Sequence, residues 1–298
     1  MSAWKLADIP DLAGKTTVVT GGNVGLGFAS ALWLARNAAR VVVACRDTGK
    51  GEAAAARLKE ESPGSDVGFL RLDLTDLESI KQFAHDFTKR HDRLDILLNN
   101  AGVVNLEDLR RSPGGHEMHL ATNHLGHFAL TGRLFPMLVE TAEARVVTVS
   151  SAGYRFGEIR FDDLDWTSRP YDRIKAYGDS KLANLLFMRE LDRRFRALGV
   201  SAISIAAHPG VTATERQQAI GIGGALAHQL ASPMEKGVRS QLRAATDPSV
   251  SGGEFYGPRF GLFGPAVLLK ANPAFADIDL AEKLWHASEE ITGVNYAH

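Results

Sequence analysis

TGGNVGLG, residues 20–27, joins two segments whose side-chain patterns differ. Residues 16–19, TTVV, are β-branched and typical of a buried strand. Residues 28–35, FASALWLA, have the apolar spacing of a helix packed on a sheet. A strand, a glycine-rich turn and a helix can hold a dinucleotide, because glycine lets the backbone approach a pyrophosphate and the helix N-terminus offers unpaired N–H groups. The alternative is a turn that is rich in glycine for steric reasons alone.

Length and composition restrict the class of protein. A chain of 298 residues is long enough for one α/β domain with a large core, and we expect a single domain over residues 1–298. The net charge of -1 gives no reason to expect binding to nucleic acid or to a membrane surface. Cys45 is the sole cysteine, which excludes an internal disulfide and a multi-cysteine metal site. No apolar run approaches the roughly 20 residues of a membrane span, and the first residues lack a signal peptide's apolar core. We therefore expect a cytoplasmic protein with no membrane span and no metal.

Strand and helix patterns alternate along the chain. The predicted strands are Thr16–Val19, Arg40–Cys45, Val67–Leu72, Leu94–Asn99, Ala144–Ser150 and Val200–Ala206. The predicted helices between and after them are Phe28–Ala35, Gly49–Glu60, Leu77–His91, Gly115–Val139, Ala176–Leu198, Met234–Thr246 and Leu280–Glu290. This order predicts an α/β fold: a single Rossmann-type, doubly wound parallel sheet with helices on both faces and a ligand crevice at the carboxyl ends of the strands. Residues 1–14 are predicted to form an N-terminal arm and residues 211–232 a flap on the substrate side.

Side chains with acid–base chemistry follow the later strands. Tyr177 and Lys181 are four residues apart at the start of a predicted helix, which places both on one helical face. A nearby cation lowers the pKa of a phenol from its usual value of about 10. Ser151, at the end of the fifth strand, can donate a hydrogen bond to the same substrate oxygen. A surface Tyr and Lys on an amphipathic helix is the alternative, and the glycine turn together with Ser151 favours the chemical interpretation.

With these motifs the chain resembles a classical short-chain dehydrogenase/reductase over residues 14–215. The matching motifs are TGxxxGxG at 20–27, NNAG at 99–102, Asn123, Ser151, YxxxK at 177–181 and the PG pair after His208. Residues 44–47 (ACRD), 161–164 (FDDL) and 180–184 (SKLAN) are similar to the retinol-dehydrogenase-like branch. That branch commonly carries an insertion like Arg155–Arg173, which we interpret as a substrate-side loop. Residues 37–40 (NAAR) depart from the family's glycine before the second strand.

The resemblance implies a role for each matching residue. Tyr177 would protonate a carbonyl oxygen in reduction, and Lys181 would hold the nicotinamide ribose and lower the pKa of Tyr177. Ser151 would orient the oxygen, and Asn123 would position a water that connects Lys181 to solvent. The implied catalytic set is Asn123, Ser151, Tyr177 and Lys181. The implied cofactor-binding set is Gly21, Asn23, Gly25, Leu26, Gly27, Arg46, Asp73, Leu74, Asn100, Ala101, Gly102, Tyr177, Lys181, Pro209, Val211 and Thr214.

Some members of these sets have a simpler explanation. Asp73 could simply start a turn, and Thr214 could be only a helix cap. His124 and His127 lie on a predicted helix and are interpreted as packed or solvated rather than chemical, and Trp285 is assigned to the core. Family members commonly pair through the helices that carry Asn123 and Tyr177, so the resemblance also implies a homodimer or homotetramer.

The end of the second strand predicts the cofactor. An enzyme specific for NAD usually has a carboxylate there, which bonds the ribose 2′-hydroxyl and would repel a 2′-phosphate. Here the strand is followed by Arg46, whose guanidinium suits bidentate contact with phosphate, and Lys50 is near. Asp47 and Asn23 weaken the argument, and a solvated Arg46 without a ligand role is the alternative. We predict NADP, with NAD as the other cofactor to be tested.

Three functions are compared. The favoured one is an NADP(H)-dependent oxidoreductase that interconverts an alcohol and a carbonyl, on a small-molecule substrate with some lipophilic character. A non-catalytic dinucleotide-binding regulator is the alternative, but it has no need of Asn123, Ser151, Tyr177 and Lys181 together. Light-dependent reduction of a pigment ring would call for more cysteines than Cys45. The substrate walls are predicted at residues 103–113, 153–171 and 211–232.

Overall fold

A twisted sheet forms the centre of the described part of the chain. The computed structural model describes residues 4–104, 106–210, 234–270 and 272–296. Within these ranges the sheet has eight strands in the order β3-β2-β1-β4-β5-β6-β7-β8, all parallel except β8, which pairs antiparallel with β7. The strands are β1 Thr16–Thr20, β2 Arg40–Cys45, β3 Val67–Arg71, β4 Ile96–Asn99, β5 Arg145–Val149, β6 Ile203–Ala207, β7 Phe255–Pro258 and β8 Ala266–Leu268.

The strand order explains where a ligand can bind. β1 pairs with β2 on one side and with β4 on the other, so the chain changes direction across the sheet at β1. Connections on the two sides of such a switch point leave on opposite faces, which opens a crevice at the carboxyl ends of β1 and β4. The doubly wound α/β fold predicted from the alternation of patterns is therefore confirmed.

Helices cover both faces of the sheet. The longer helices are α1 Gly25–Arg36, α2 Thr48–Glu61, α3 Leu77–Arg90, α4 Gly126–Glu140, α5 Arg173–Ala197, α7 Arg239–Thr246 and α9 Ile278–Thr292, and short helices α6 Met234–Gly237 and α8 Pro273–Ala276 stand beside them. A π-helical turn, Leu120–Leu125, leads directly into α4. Val19 packs with α1 and α2, whereas its neighbour Val18 packs with α3, α4 and α5. Successive strand residues thus face opposite layers of the core.

The last long helix closes the layer that α4 and α5 form. Trp285 of α9 is 2% exposed, and its ring lies 5.0 Å from that of Phe128 in α4 and 5.8 Å from that of Phe187 in α5. Tyr296, after α9, donates a hydrogen bond to the carbonyl of Phe128 at 2.6 Å. The assignment of Trp285 to the core is borne out by this packing. The C-terminal helix α9 therefore packs on α5 and on the start of α4, the two helices through which the resemblance implied subunit pairing.

Several boundaries differ from the predicted ones. Two short strands, β7 and β8, lie in and next to a stretch rich in glycine and proline, where local pattern gives no strand signal. The predicted helix from Met234 to Thr246 is divided into α6 and α7. Ala38, in the stretch 37–40 that departs from the family's glycine, has a φ of 66°, so a residue with a Cβ occupies a left-handed position after α1. Across the described ranges no helix combines the length and apolarity that crossing a bilayer requires.

Candidate active site

The crevice at the strand ends contains most of the residues predicted to bind a cofactor. It encloses about 660 Å³ and is open along one side. The predicted residues that line it are Gly21, Asn23, Gly25, Leu26, Gly27, Arg46, Asp73, Leu74, Asn100, Ala101, Gly102, Tyr177 and Lys181. They come from the ends of β1, β2, β3 and β4 and from α5, which are distant in sequence. The structure therefore brings together the glycine turn and the predicted acid–base pair in one cleft.

The glycine turn packs tightly against the ends of β1 and β4. A Cβ at Gly27 would collide with the carbonyl of Gly21 and lie 2.7 Å from the side-chain nitrogen of Asn100, so only glycine fits. Val24 precedes α1 and supplies no side-chain acceptor to its first N–H groups. Unpaired N–H groups and the positive end of the helix dipole favour a phosphate at this position. This part of the cleft thus fits the pyrophosphate of a dinucleotide.

Thr20 fixes the loop that follows β4. Its hydroxyl oxygen accepts hydrogen bonds from the backbone N–H groups of Asn100 and Ala101, each at 2.9 Å. The side-chain nitrogen of Asn100 donates to the carbonyl of Thr20 at 2.9 Å. These bonds hold the NNAG motif against the end of β1, so the two motifs form one wall of the cleft.

The end of β2 presents basic side chains to the same cleft. Arg46 is exposed there, and Lys50 lines the cleft one turn further on. Asp47 is the N-cap of α2, and its carboxylate accepts a hydrogen bond from the backbone N–H of Lys50 at 2.9 Å. The carboxylate of Asp47, which also lines the cleft, thus has a structural role in starting α2.

Tyr177 and Lys181 are presented by the first turns of α5. Asp172 caps this helix by accepting hydrogen bonds from the N–H groups of Ile174 and Lys175. The ammonium of Lys181 donates to the carbonyl of Val149 at 3.1 Å and lies 5.7 Å from the centre of the Tyr177 ring. The side chain of Lys181 is almost fully buried, so little water screens its charge from the phenol.

A glycine keeps room for the Tyr177 ring. A Cβ at Gly153 would lie 3.1 Å from a ring carbon of Tyr177 and 3.6 Å from the hydroxyl oxygen of Ser151. Ser151 is half-buried, caps a short 3₁₀ turn at Ala152–Phe156, and accepts a hydrogen bond from Gly153 N–H at 3.2 Å. Ser151 and Tyr177 therefore flank the same small space, although Ser151 does not line the cofactor cleft itself.

Asn123 lies behind the cleft rather than on its wall. It is completely buried in the π-helical turn before α4, and its side-chain oxygen accepts a hydrogen bond from Val103 N–H at 2.8 Å. Its amide nitrogen donates to the carbonyl of Val103 at 3.1 Å and to the hydroxyl of Ser180 at 2.9 Å. Both amide hydrogens are directed to protein groups, so the side chain ties the loop after β4 to α5.

The remaining predicted residues have separate outcomes. Asp73 lines the cleft. Its carboxylate also accepts hydrogen bonds from the N–H and hydroxyl of Thr75, so the same residue starts a turn and faces the cleft. Pro209 is buried at the end of β6 and does not line the cleft. Val211 and Thr214, like the predicted flap at residues 211–232, lie outside the described residues.

The family that the sequence resembles is also found by direct comparison. The sequence pattern of the short chain dehydrogenase family matches residues 15–225, which is more than half of the chain. The chain belongs to the short-chain dehydrogenase family. Mouse retinol dehydrogenase 12 is 40% identical over 290 residues, which cover 96% of this chain and 88% of the relative. Human retinol dehydrogenase 13 is 37% identical over 287 residues, covering 95% and 86%. The predicted retinol-dehydrogenase-like branch is therefore confirmed.

Solved structures share this dehydrogenase fold. A protein from Mycobacterium paratuberculosis is 39% identical, with a TM-score of 0.85 over 100% of both chains. A short chain dehydrogenase from Escherichia coli, solved with NADPH, has a TM-score of 0.67 at 22% identity and covers 83% of this chain and 98% of its own. At that identity the second likeness concerns the fold alone.

The insertion between Ser151 and Tyr177 is fastened to the helix of this short-chain dehydrogenase that carries Tyr177. The guanidinium of Arg169 lies 3.1 Å from the carboxylate of Asp179 on α5 and stacks 3.7 Å from the centre of the Trp166 ring. Asp165 accepts a hydrogen bond from Glu117 N–H at 2.9 Å, which ties the same loop to the segment before the π-helical turn. The loop is therefore fixed from two sides next to Tyr177.

Two buried groups near the site were not predicted. Glu117 and His119 are 1% and 0% exposed and bond to each other at 2.8 Å, and the His119 ring meets that of Tyr177 edge-on at 5.9 Å. His127, interpreted as packed or solvated, is fully buried and hydrogen-bonded to Thr20 and Asn123. In the sequence, Glu117, His119 and His127 are polar residues on a predicted helix. Such residues can be exposed or buried, and the sequence does not show which of them have buried partners.

Proposed function

We propose that this short-chain dehydrogenase is an NADP(H)-dependent oxidoreductase that interconverts a lipophilic alcohol and its carbonyl. The observation that carries the proposal is that Tyr177 and Lys181 line the same cleft as the glycine turn. A non-catalytic regulator would need the turn but not this pair. The retinol dehydrogenases to which the chain is similar are, by name, enzymes of an apolar alcohol.

Each residue of the proposed catalytic set has a separate role in the reaction. When bound, the nicotinamide supplies or accepts the hydride. In reduction, Tyr177 donates its hydroxyl proton to the substrate oxygen, and in oxidation the phenolate accepts that proton. The ammonium of Lys181 stabilises the phenolate, and Ser151, on the other side of Gly153, donates a hydrogen bond to the same substrate oxygen. Asn123 fixes the position of the loop after β4 relative to α5 through its bonds to Val103 and Ser180. Its predicted water-positioning role stays a prediction.

Arg46 supports the choice of NADP. Its guanidinium is exposed at the cleft end of β2, with Lys50 beside it, and the position directly after the strand holds this cation rather than a carboxylate, although Asp47 next to it also lines the cleft. Val103 and Val104, from the predicted wall at residues 103–113, are apolar and line the same cleft as Tyr177, which supports a lipophilic substrate. NADPH oxidation screened against aldehydes, ketones, retinoids and steroids tests the substrate class.

Replacement of Tyr177 by Phe tests the reaction. The ring and its packing remain while the proton donor is lost, so turnover falls at least about a hundredfold and NADPH still binds. Initial rates and a calorimetric NADPH titration measure the two effects separately. Turnover of Tyr177→Phe within about tenfold of the wild type contradicts acid–base catalysis by this phenol.

The organisation of the protein is also a proposal. We propose one domain over residues 1–298, a cytoplasmic location, and a homodimer or homotetramer. Because Trp285 of α9 packs against Phe128 of α4 and Phe187 of α5, a subunit interface through these two helices has to accommodate α9. A light-scattering mass equal to one chain at micromolar concentration contradicts the oligomer.

A further inference from the structure

A buried histidine connects the glycine turn to the π-helical turn that carries Asn123. His127 lies in α4, four residues after Asn123, and is 1% exposed. Its Nε2 lies 2.9 Å from the hydroxyl oxygen of Thr20, and its Nδ1 lies 3.0 Å from the backbone carbonyl of Asn123. Each ring nitrogen therefore has one partner: Thr20, which lines the cleft, and Asn123, which lies behind it.

The partners determine which nitrogen carries the proton. A carbonyl oxygen can only accept, so Nδ1 is protonated and donates to Asn123. Burial, with a smaller contribution from the charge of Lys181, lowers the pKa of His127 to about 4, so the ring is neutral at pH 7. Its Nε2 consequently has a lone pair and accepts the hydroxyl proton of Thr20.

This assignment agrees with the other bonds of Thr20. The hydroxyl has one proton, and the carbonyl of Leu98, at 3.3 Å, is a more distant acceptor than His127. With the proton directed to His127, both lone pairs of Thr20 are available to the N–H groups of Asn100 and Ala101. The imidazole thus orients the hydroxyl that holds the cofactor-side loop.

Asn123 carries the connection onward to the proposed catalytic tyrosine. Its amide nitrogen donates to the hydroxyl of Ser180, and that hydroxyl donates to the backbone carbonyl of Tyr177 at 2.7 Å. A path of hydrogen bonds, linked through the covalent frames of His127, Asn123 and Ser180, therefore connects the end of β1 to the backbone of Tyr177.

We propose that His127 is a positioning residue that holds the cofactor turn and the Tyr177 helix in one arrangement, so that cofactor affinity and turnover both depend on it. This inference rests on the proposed function. His127 touches neither cofactor nor substrate in this role. It acts through Thr20 on the loop after β4, and through Asn123 and Ser180 on α5.

His124 provides a matched control. It belongs to the same helical segment and is 1% exposed, but its hydrogen-bond partner lies in the C-terminal helix rather than at the cleft. Its Nε2 lies 2.9 Å from the hydroxyl of Ser288 in α9, and its ring meets those of Phe128 and Phe187. Replacing His124 removes a buried imidazole from the core while leaving the Thr20–Asn123 connection intact.

Calorimetric titration with NADPH tests the inference, on wild type, His127→Leu, His127→Gln and His124→Leu. We expect His127→Leu to bind NADPH about tenfold more weakly, which corresponds to about 1.4 kcal/mol, and to turn over more slowly at saturating NADPH. His127→Gln keeps a donor and an acceptor and recovers most of the affinity. His124→Leu loses thermal stability but binds NADPH within about twofold of the wild type.

Several results overturn the proposal. One is wild-type NADPH affinity in His127→Leu, and another is an equal loss in His124→Leu, which would indicate general damage to the core. If His127→Leu does not fold, Thr20→Val replaces it, since it removes the hydroxyl at the same size, and unchanged NADPH affinity in Thr20→Val contradicts the connection. A wild type that binds NADPH but reduces no carbonyl compound contradicts the proposed function alone, whereas one that binds no NADPH contradicts both.

Discussion

Acid should destabilise this protein well before its carboxylates are protonated, because three buried histidines are held neutral. Burial is the main cause that lowers the pKa of His124 to about 3 and those of His127 and His208 to about 4. In the unfolded chain each titrates near the ordinary value of about 6.5. The unfolded state therefore binds more protons than the folded state between pH 6.5 and pH 4.

The sign and size of the effect follow from proton linkage. A group whose pKa is lowered by folding stabilises the fold above its unfolded pKa, and that stability is lost as the pH falls toward the folded pKa. Between pH 7.5 and pH 5.5 each imidazole costs about 1.3 kcal/mol, since one pKa unit is worth about 1.36 kcal/mol. Together His124, His127 and His208 lower the free energy of unfolding by about 4 kcal/mol, a large part of the about 5–15 kcal/mol of a typical domain.

Urea unfolding at half-unit pH intervals from 7.5 to 5.5, followed by far-ultraviolet circular dichroism, measures this loss. His124→Leu removes one of the three sites, so we expect the pH dependence of its unfolding free energy to be about one third smaller, whatever its stability at pH 7.5. A free energy of unfolding that stays constant over this range, or an unchanged slope in His124→Leu, refutes the reasoning. Such results would mean that these imidazoles titrate normally in the folded protein.

Three further substitutions test individual assignments. Arg46→Ala should weaken NADPH binding about ten- to a hundredfold and leave NADH binding unchanged, and an unchanged ratio in a titration of both cofactors would remove Arg46 from phosphate recognition. Ala38→Gly removes the steric strain of a Cβ in the left-handed backbone region and should raise the free energy of unfolding by about 0.5–1 kcal/mol. A lower urea midpoint would contradict this. Gly153→Ala places a methyl group 3.1 Å from the Tyr177 ring. We expect its turnover to fall about tenfold or more at unchanged NADPH affinity, and wild-type kinetics would show that the ring moves without cost.

Local sequence was sufficient for the centre of the fold and for most of the cleft. The run before residue 20 is β-branched, the segment after residue 27 has helical apolar spacing, and each pattern can be recognised without its partners. Once those elements are aligned in a parallel sheet, the carboxyl ends of the strands meet at one edge. Motifs that follow different strands, such as Asn100 and Tyr177, are then expected to lie in the same cleft, as they do.

The rest depended on contacts between distant segments. β7 and β8 are four and three residues long, and each is a strand because a neighbour pairs with it rather than because of its own pattern. The packing of α9 on α4 and α5 could not be predicted either. The pattern of an amphipathic helix identifies its apolar face but not the element against which that face packs. His127 is the clearest case at the site. Its surroundings fix its protonation and hydrogen bonds, and these come from Thr20, 107 positions earlier in the chain, and from the fold that buries both.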